Sequence, residues 1–328
     1  MSNILISEKI TQMKKLQEDF YLEFGVDDIW SNSKIYEIIV ANSLNHELIP
    51  GHSGSKDAFF NVNGRRIECE YKHYKESSSN HTWTFNDFSD TTISSLRNNV
   101  NVYFTHIDDS EESPIFDWYY EVPGEKVADF LEEKTPTITN ARKMINISKN
   151  DIENKMNIYK SYVNNHEGKY KKYLSKIFSI IIYLESITDT KNLLTSNKFW
   201  ELLVALKLNH KINSEQGGRE GAHDASDKYG NTYEYKVSKT HSWNFQDISD
   251  NVLNKYYSDK AIILAVVDKE NMEVLSIYSA NPKNVVPRLK EKLDEKLQRN
   301  GGDLRRLQVA LSKTDLTRIE AVQIYKKR

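Results

Sequence analysis

Two sets of charged residues recur at matched places along the chain. Glu70-Tyr71-Lys72 and Glu234-Tyr235-Lys236 are the same tripeptide, and their lysines stand about half the chain apart. In an extended strand, residues i and i+2 share a face, so each glutamate and its lysine project together. Asp57 and Asp224 lie one predicted strand earlier and can reach the same end of the sheet. An aspartate beside a glutamate makes a hard oxygen site for a divalent ion such as Mg²⁺, which the Tyr71 carbonyl oxygen can complete. A lysine there can orient or help deprotonate an attacking water, or stabilise charge on a phosphate. Glu37 and Glu201 sit on the preceding predicted helices, and can supply a further carboxylate directly or through a metal-bound water. A single Glu-x-Lys is usually a surface ion pair. The duplicate, each with its matched aspartate, carries the stronger reading.

The match extends well beyond the charged residues. Lys34-Ile35-Tyr36-Glu37 aligns with Lys198-Phe199-Trp200-Glu201, and Asn45-His46 with Asn209-His210. His81-Thr82-Trp83-Thr84-Phe85 aligns with His241-Ser242-Trp243-Asn244-Phe245, and Ser148-Lys149-Asn150-Asp151 with Ser312-Lys313-Thr314-Asp315. A repeat of this length means a duplicated domain. The expected boundaries are 1–153 for the first domain, 154–172 for a polar linker and 173–328 for the second.

Each half reads as helix, helix, hairpin, helix, strand, strand, helix. The opening helices are expected over Glu8–Phe24 and Gly168–Ser186, and the glutamate-bearing ones over Ser33–Leu44 and Asn197–Leu208. Ile35, Ile38 and Ile39, then Phe199, Leu202, Leu203 and Leu206, have helical spacing. Glycine-rich loops at Gly51–Gly54 and Gly217–Gly221 lead into hairpins. Asn63-Gly64 is a strong hairpin turn signal, and Tyr229-Gly230-Asn231 takes that role in the second half. Strands are expected over Val100–His106, Ile115–Val122, Lys260–Val267 and Val274–Ser279, and closing helices over Lys126–Lys134 and Pro287–Asn300. This is an α/β layer arrangement with mixed sheets. Trp83, Phe85, Trp243 and Phe245 read as core anchors for the helix that follows. Asp87, Ser89, Asp247 and Ser249 are candidate caps for that helix.

Composition narrows the class. The chain is 38% hydrophobic and 28% charged, as expected of a soluble globular protein. The single cysteine, Cys69, excludes an intrachain disulfide and a cysteine-based zinc site. No apolar run reaches the roughly 18–20 residues of a membrane span, and no secretory signal pattern opens the chain, so a cytoplasmic protein with no membrane partner is expected. A net charge of −2 lacks the basic surplus common in nucleic-acid binders, although acidic metal ligands can offset a local basic groove.

The set of helical Glu, loop Asp and Glu-x-Lys resembles the PD-(D/E)XK nuclease superfamily, the type II restriction endonuclease-like fold. The likeness covers roughly 90 residues of each half. Lys56 and His223 stand where that family usually has proline before the aspartate. The resemblance implies two tandem restriction-endonuclease-like domains related by pseudo-two-fold symmetry, each a mixed sheet flanked by helices. It implies Mg²⁺-dependent hydrolysis of double-stranded DNA, with Mn²⁺ as a substitute ion. Asp57, Glu70, Lys72, Asp224, Glu234 and Lys236 would be catalytic, with the carboxylates as metal ligands. Each half of a single-chain pseudo-dimer would cut one strand, so the chain would function as a monomer. Lys75, His81, Lys239 and His241 follow the tripeptides and can contact phosphates or base edges. The first of these loops, Lys72 to Trp83, is longer than the second, Lys236 to Trp243. A repair or structure-specific nuclease, an RNA-cleaving enzyme, and a DNA-binding protein that does not cleave are the alternatives.

Overall fold

The computed structural model describes residues 2–30, 34–50, 56–86, 88–111, 113–138, 144–194, 197–213, 223–301, 304 and 307–327. Both expected glycine-rich loops, and Asp87, lie outside them. The first half comprises α1 (Ser2–Phe24), α2 (Lys34–Leu44), β1 (Glu47–Leu48), β2 (Ala58–Val62), β3 (Arg65–Lys75), β4 (Trp83–Asn86), α3 (Asp90–Leu96), β5 (Val100–Asp108), β6 (Ile115–Pro123), α4 (Gly124–Lys134), β7 (Met144–Ile147) and β8 (Ser161–Tyr162). The second half comprises α5 (Lys171–Thr188), α6 (Lys198–Leu208), β9 (Lys211–Ile212), β10 (Ala225–Ser226), β11 (Thr232–Ser238), β12 (Ser242–Phe245), α7 (Asp250–Tyr256), β13 (Ala261–Asp268), β14 (Glu273–Ala280), α8 (Pro282–Arg299), β15 (Val309–Ser312), α9 (Asp315–Arg318) and β16 (Val322–Lys326).

The halves share one topology. Six-stranded sheets run β1-β2-β3-β5-β6-β8 and, in mirrored listing, β9-β10-β11-β13-β14-β16. In each, one central contact is parallel, β3 with β5 and β11 with β13, while the remaining ladders are antiparallel. Parallel neighbours need a crossover, and α3 and α7 provide it. The β2–β3 turn is Asn63-Gly64, both at positive φ, as a tight hairpin requires. The protein is therefore mixed α/β, built from two similar helix-flanked sheets.

Each sheet covers its own core. In the first, Trp83, Phe85, Phe88, Ile93 and Leu96 pack with Val102, Phe104 and Tyr120. In the second, Trp243, Phe245, Ile248 and Leu253 pack with Ile262, Leu264 and Val266. The tryptophans are fully buried, and each satisfies its indole N–H at 2.8 Å, Trp83 on the Thr105 carbonyl and Trp243 on the Ala265 carbonyl. Ser89 and Ser249 cap α3 and α7, accepting hydrogen bonds from Thr92 N–H and Val252 N–H.

Several elements differ from expectation. Trp83–Asn86 and Ser242–Phe245, expected only as anchors for the helix that follows, are also strands, each paired with a distant strand, β7 and β15. α8 starts at Pro282 under an Asn281 cap and passes through Pro287. Residues 154–172, expected as a linker, contain β8, which pairs with β6 and extends the first sheet. The chain divides into a unit of Leu16–Ile29 with Ser33–Ile180 and a unit of Met1–Lys15, Trp30–Asn32 and Ile181–Arg328. The start of α1, which carries the buried Ile6 and Met13, thus falls in the unit of the second sheet.

Gly124 opens α4 where no side chain fits. A Cβ there would lie 2.1 Å from the Leu96 carbonyl oxygen and 2.7 Å from that of Val100. Both are backbone atoms that cannot swing aside. Gly124→Ala is expected to destabilise the protein by about 2–3 kcal/mol, read as a lower urea midpoint; an unchanged midpoint would contradict this packing.

Candidate active site

In the first unit the candidate residues converge on β3, which lies between β2 and β5. Asp57 immediately precedes β2. Its amide donates to the Cys69 carbonyl at 2.9 Å, and its Oδ2 accepts the Tyr71 amide at 2.6 Å. The aspartate is thereby tied to the middle of Glu-Tyr-Lys. Lys72 Nζ donates to Glu70 Oε1 at 2.6 Å, as the shared strand face requires, and sits 5.1 Å above the Phe85 ring. Lys56 Nζ reaches Glu70 Oε2 at 3.3 Å. On α2, Glu37 pairs with Lys34 one turn earlier.

The second unit repeats most of this. Asp224 Oδ2 accepts the Tyr235 amide at 2.8 Å. Lys236 pairs with Glu234 and sits 5.5 Å above the Phe245 ring. Glu201 on α6 pairs with Lys198 at 3.4 Å. The difference lies at the residue before the aspartate. His223 turns towards Asp259, with Nδ1 2.5 Å from Oδ1.

A further matched pair of residues joins each site. Asn45 and Asn209 take left-handed backbone conformations at the ends of α2 and α6, with φ of 58° and 56°. That turn places the next residue under the sheet. His46 Nδ1 lies 2.8 Å from the Tyr71 hydroxyl, and His210 Nδ1 2.8 Å from the Tyr235 hydroxyl. Burial, helped by the Lys169 charge, lowers His46 to about 4, so its imidazole stays neutral and positions the tyrosine. The recurring Asn-His was visible in sequence. Its role was not, because the partner tyrosine is distant along the chain and inside the Glu-x-Lys.

The electrostatics of both sites are those of crowded, buried carboxylates. Burial raises Asp57 well above the usual range, and the Glu37 and Glu70 charges add to it. Burial likewise raises Glu37. Glu70 goes the other way: burial opposes its ionisation, but Lys72 and Lys56 together hold it below the usual value. In the second unit burial and the Asp224 charge raise Glu201 to about 7, while burial and the Glu234 charge raise Asp224 to about 6. Lys72 and Lys236 lose solvation, yet the neighbouring carboxylates raise both above the ordinary lysine value. Each remains an ammonium at neutral pH.

Among the described residues, no group of three His, Cys, Asp or Glu side chains is placed to enclose a metal ion. The chemistry of the donors still suits Mg²⁺, which keeps several waters and commonly takes one or two carboxylates. Asp57 with Glu70, and Asp224 with Glu234, offer such pairs. Burial first, and the neighbouring carboxylate charges second, raise Asp57 and Asp224, so a cation there would offset a cost of ionising them.

The candidate DNA contacts are less uniform. Lys75 pairs with Asp109 at 3.2 Å. His81 is exposed and stacks on Tyr74, with ring centroids 5.3 Å apart. Lys239 is exposed, and His241 Nε2 lies 3.2 Å from the Tyr278 hydroxyl. No helix among the described residues is long and apolar enough to cross a membrane. Comparison with protein-family models and with curated proteins finds no match for the chain.

The second site has a pH signature. Glu201 and Asp224 have higher values folded than their ordinary 4.5 and 3.8. Their contribution to stability is therefore full below about pH 4 and is lost as pH rises through about 6 and about 7. In chelator-treated protein, Glu201→Gln should gain stability relative to the parent between pH 4 and pH 8, by on the order of 2 kcal/mol. Urea unfolding across that range measures it. A parent–variant difference that does not change with pH would contradict the assignment.

Proposed function

We propose that the chain is a Mg²⁺-dependent endonuclease of the restriction type, sequence-specific for double-stranded DNA. In this reading each half, a restriction-endonuclease-like domain, hydrolyses one strand. The observation that supports it is the recurrence of one bonded set in both units: strand-amide to aspartate, lysine to glutamate, and a lysine-paired glutamate on the preceding helix. A pair of ordinary surface ion pairs has no reason to keep this arrangement twice, with all its members largely shielded from solvent.

The residues divide the work. Asp57 with Glu70, and Asp224 with Glu234, would hold the ion, and Glu37 and Glu201 would add carboxylate charge beside it. A divalent ion there, Mg²⁺ or Mn²⁺ in its place, supplies Lewis-acid charge to the phosphate and to the attacking water. Lys72 and Lys236 are held as ammonium ions by their carboxylate neighbours, which favours orienting water and stabilising phosphate charge over acting as a base. The Tyr71 and Tyr235 amides keep the aspartates in line with the glutamates. Water adds at phosphorus and one P–O ester bond breaks, leaving a phosphate end and a hydroxyl end.

With supercoiled plasmid and Mg²⁺, the parent is expected to give discrete linear fragments. Lys72→Ala and Lys236→Ala should each stop at nicked circles, and the double variant should not cut, each lost lysine slowing its strand by about 10²-fold or more. Linear product from either single variant would contradict one strand per half. A smear would indicate a non-specific or repair nuclease. Binding without any cutting by the parent would indicate a DNA-binding protein.

A further inference from the structure

The two centres differ in the cation already present. In the first, Glu70 is engaged at both oxygens, by Lys72 on Oε1 at 2.6 Å and Lys56 on Oε2 at 3.3 Å. Among the described residues, Glu234 is engaged by Lys236 alone. The residue that corresponds to Lys56 is His223, and it is directed at Asp259 instead. Glu37, Asp57 and Glu70 are thus balanced by Lys34, Lys56 and Lys72. Among the described residues, the ion pairs at Glu201 and Glu234 come from Lys198 and Lys236, with no counterpart of the Lys56 contact. Lys56 is shielded as well, with its side chain 12% exposed, so its charge is little screened by solvent.

We infer that Lys56 is a built-in counter-cation that competes with the divalent ion at the first centre, so the second centre loads first and its strand is cut first. This rests on the metal-dependent reading above and assigns it an order. To load the first centre, the ion must displace the Lys56 contact from Glu70. The asymmetry makes nicked DNA an accumulating intermediate at low Mg²⁺, with linear product following as the ion concentration rises.

The test is Mn²⁺ binding to the intact chain, followed by electron paramagnetic resonance without DNA. The parent should show two sites whose dissociation constants differ by about tenfold, the scale of one charge-assisted hydrogen bond. Glu234→Gln should remove the tighter site and Glu70→Gln the weaker. Lys56→Gln should tighten the weaker site to near the other, and Lys56→Met should do the same, while His223→Lys should weaken the tighter one. Thermal melts identify any variant that fails to fold, and the reciprocal His223→Lys change reads the same property from the other centre. Equal affinities in the parent, or a Lys56→Gln variant with unchanged binding, would overturn the inference and leave the metal-dependent reading intact. Absence of any Mn²⁺ site that depends on Glu70 or Glu234 would overturn both.

Discussion

The hydrogen bond from the tyrosine amide within Glu-Tyr-Lys to the preceding aspartate is the constraint on which each centre depends. A strand amide would ordinarily pair with a neighbouring carbonyl. Here Tyr71 gives it to Asp57 and Tyr235 gives it to Asp224. The aspartate is drawn alongside the glutamate, and the two carboxylates share a poorly solvated space. The cost is visible in the raised Asp57 and Asp224. It is offset in part by the lysine two residues on, which shares the glutamate's strand face, and by the amide itself. The parallel contact of β3 with β5, and of β11 with β13, fixes the strand that carries this geometry in the interior of the sheet.

The layers beneath the sheet serve the same end. Trp83 and Trp243 anchor the segment after the tripeptide by bonding a carbonyl of the adjacent parallel strand. Phe85 and Phe245, two residues later on the same strand face, pack under the lysine ammonium groups. From the opposite side, His46 and His210 hold the tyrosine hydroxyls. Strand position, ring and imidazole together leave the Glu-x-Lys little freedom, the pre-organisation expected of groups that act on developing charge.

Much of this was legible in the sequence because the chain carries its own comparison. Matched residues located the helices bearing Glu37 and Glu201, the hairpin at Asn63-Gly64, the serine caps at Ser89 and Ser249, and the Asp-to-Glu-x-Lys spacing. Local signals did not locate β4 with β7 or β12 with β15. These strands are four residues long, and Trp83 pairs with Ile147 and Trp243 with Leu311, partners that no nearby pattern announces. β8 was hidden in a polar stretch read as linker, since a two-residue edge strand has no periodicity to detect. Lys34 and Lys198 were matched but not recognised as partners of Glu37 and Glu201. The divergence of Lys56 and His223 is visible in the sequence as a departure from a pattern, but its physical meaning lies in their contacts with Glu70 and Asp259.

The proposed chemistry depends on whether the paired carboxylates hold a divalent ion. Crystals soaked in Mn²⁺ and measured for anomalous scattering test this most directly. The expected result is a peak within about 2.2 Å of oxygens from both Asp224 and Glu234, and at higher Mn²⁺ a second peak at Asp57 and Glu70. Maps with no peak at either pair at saturating Mn²⁺ would contradict it.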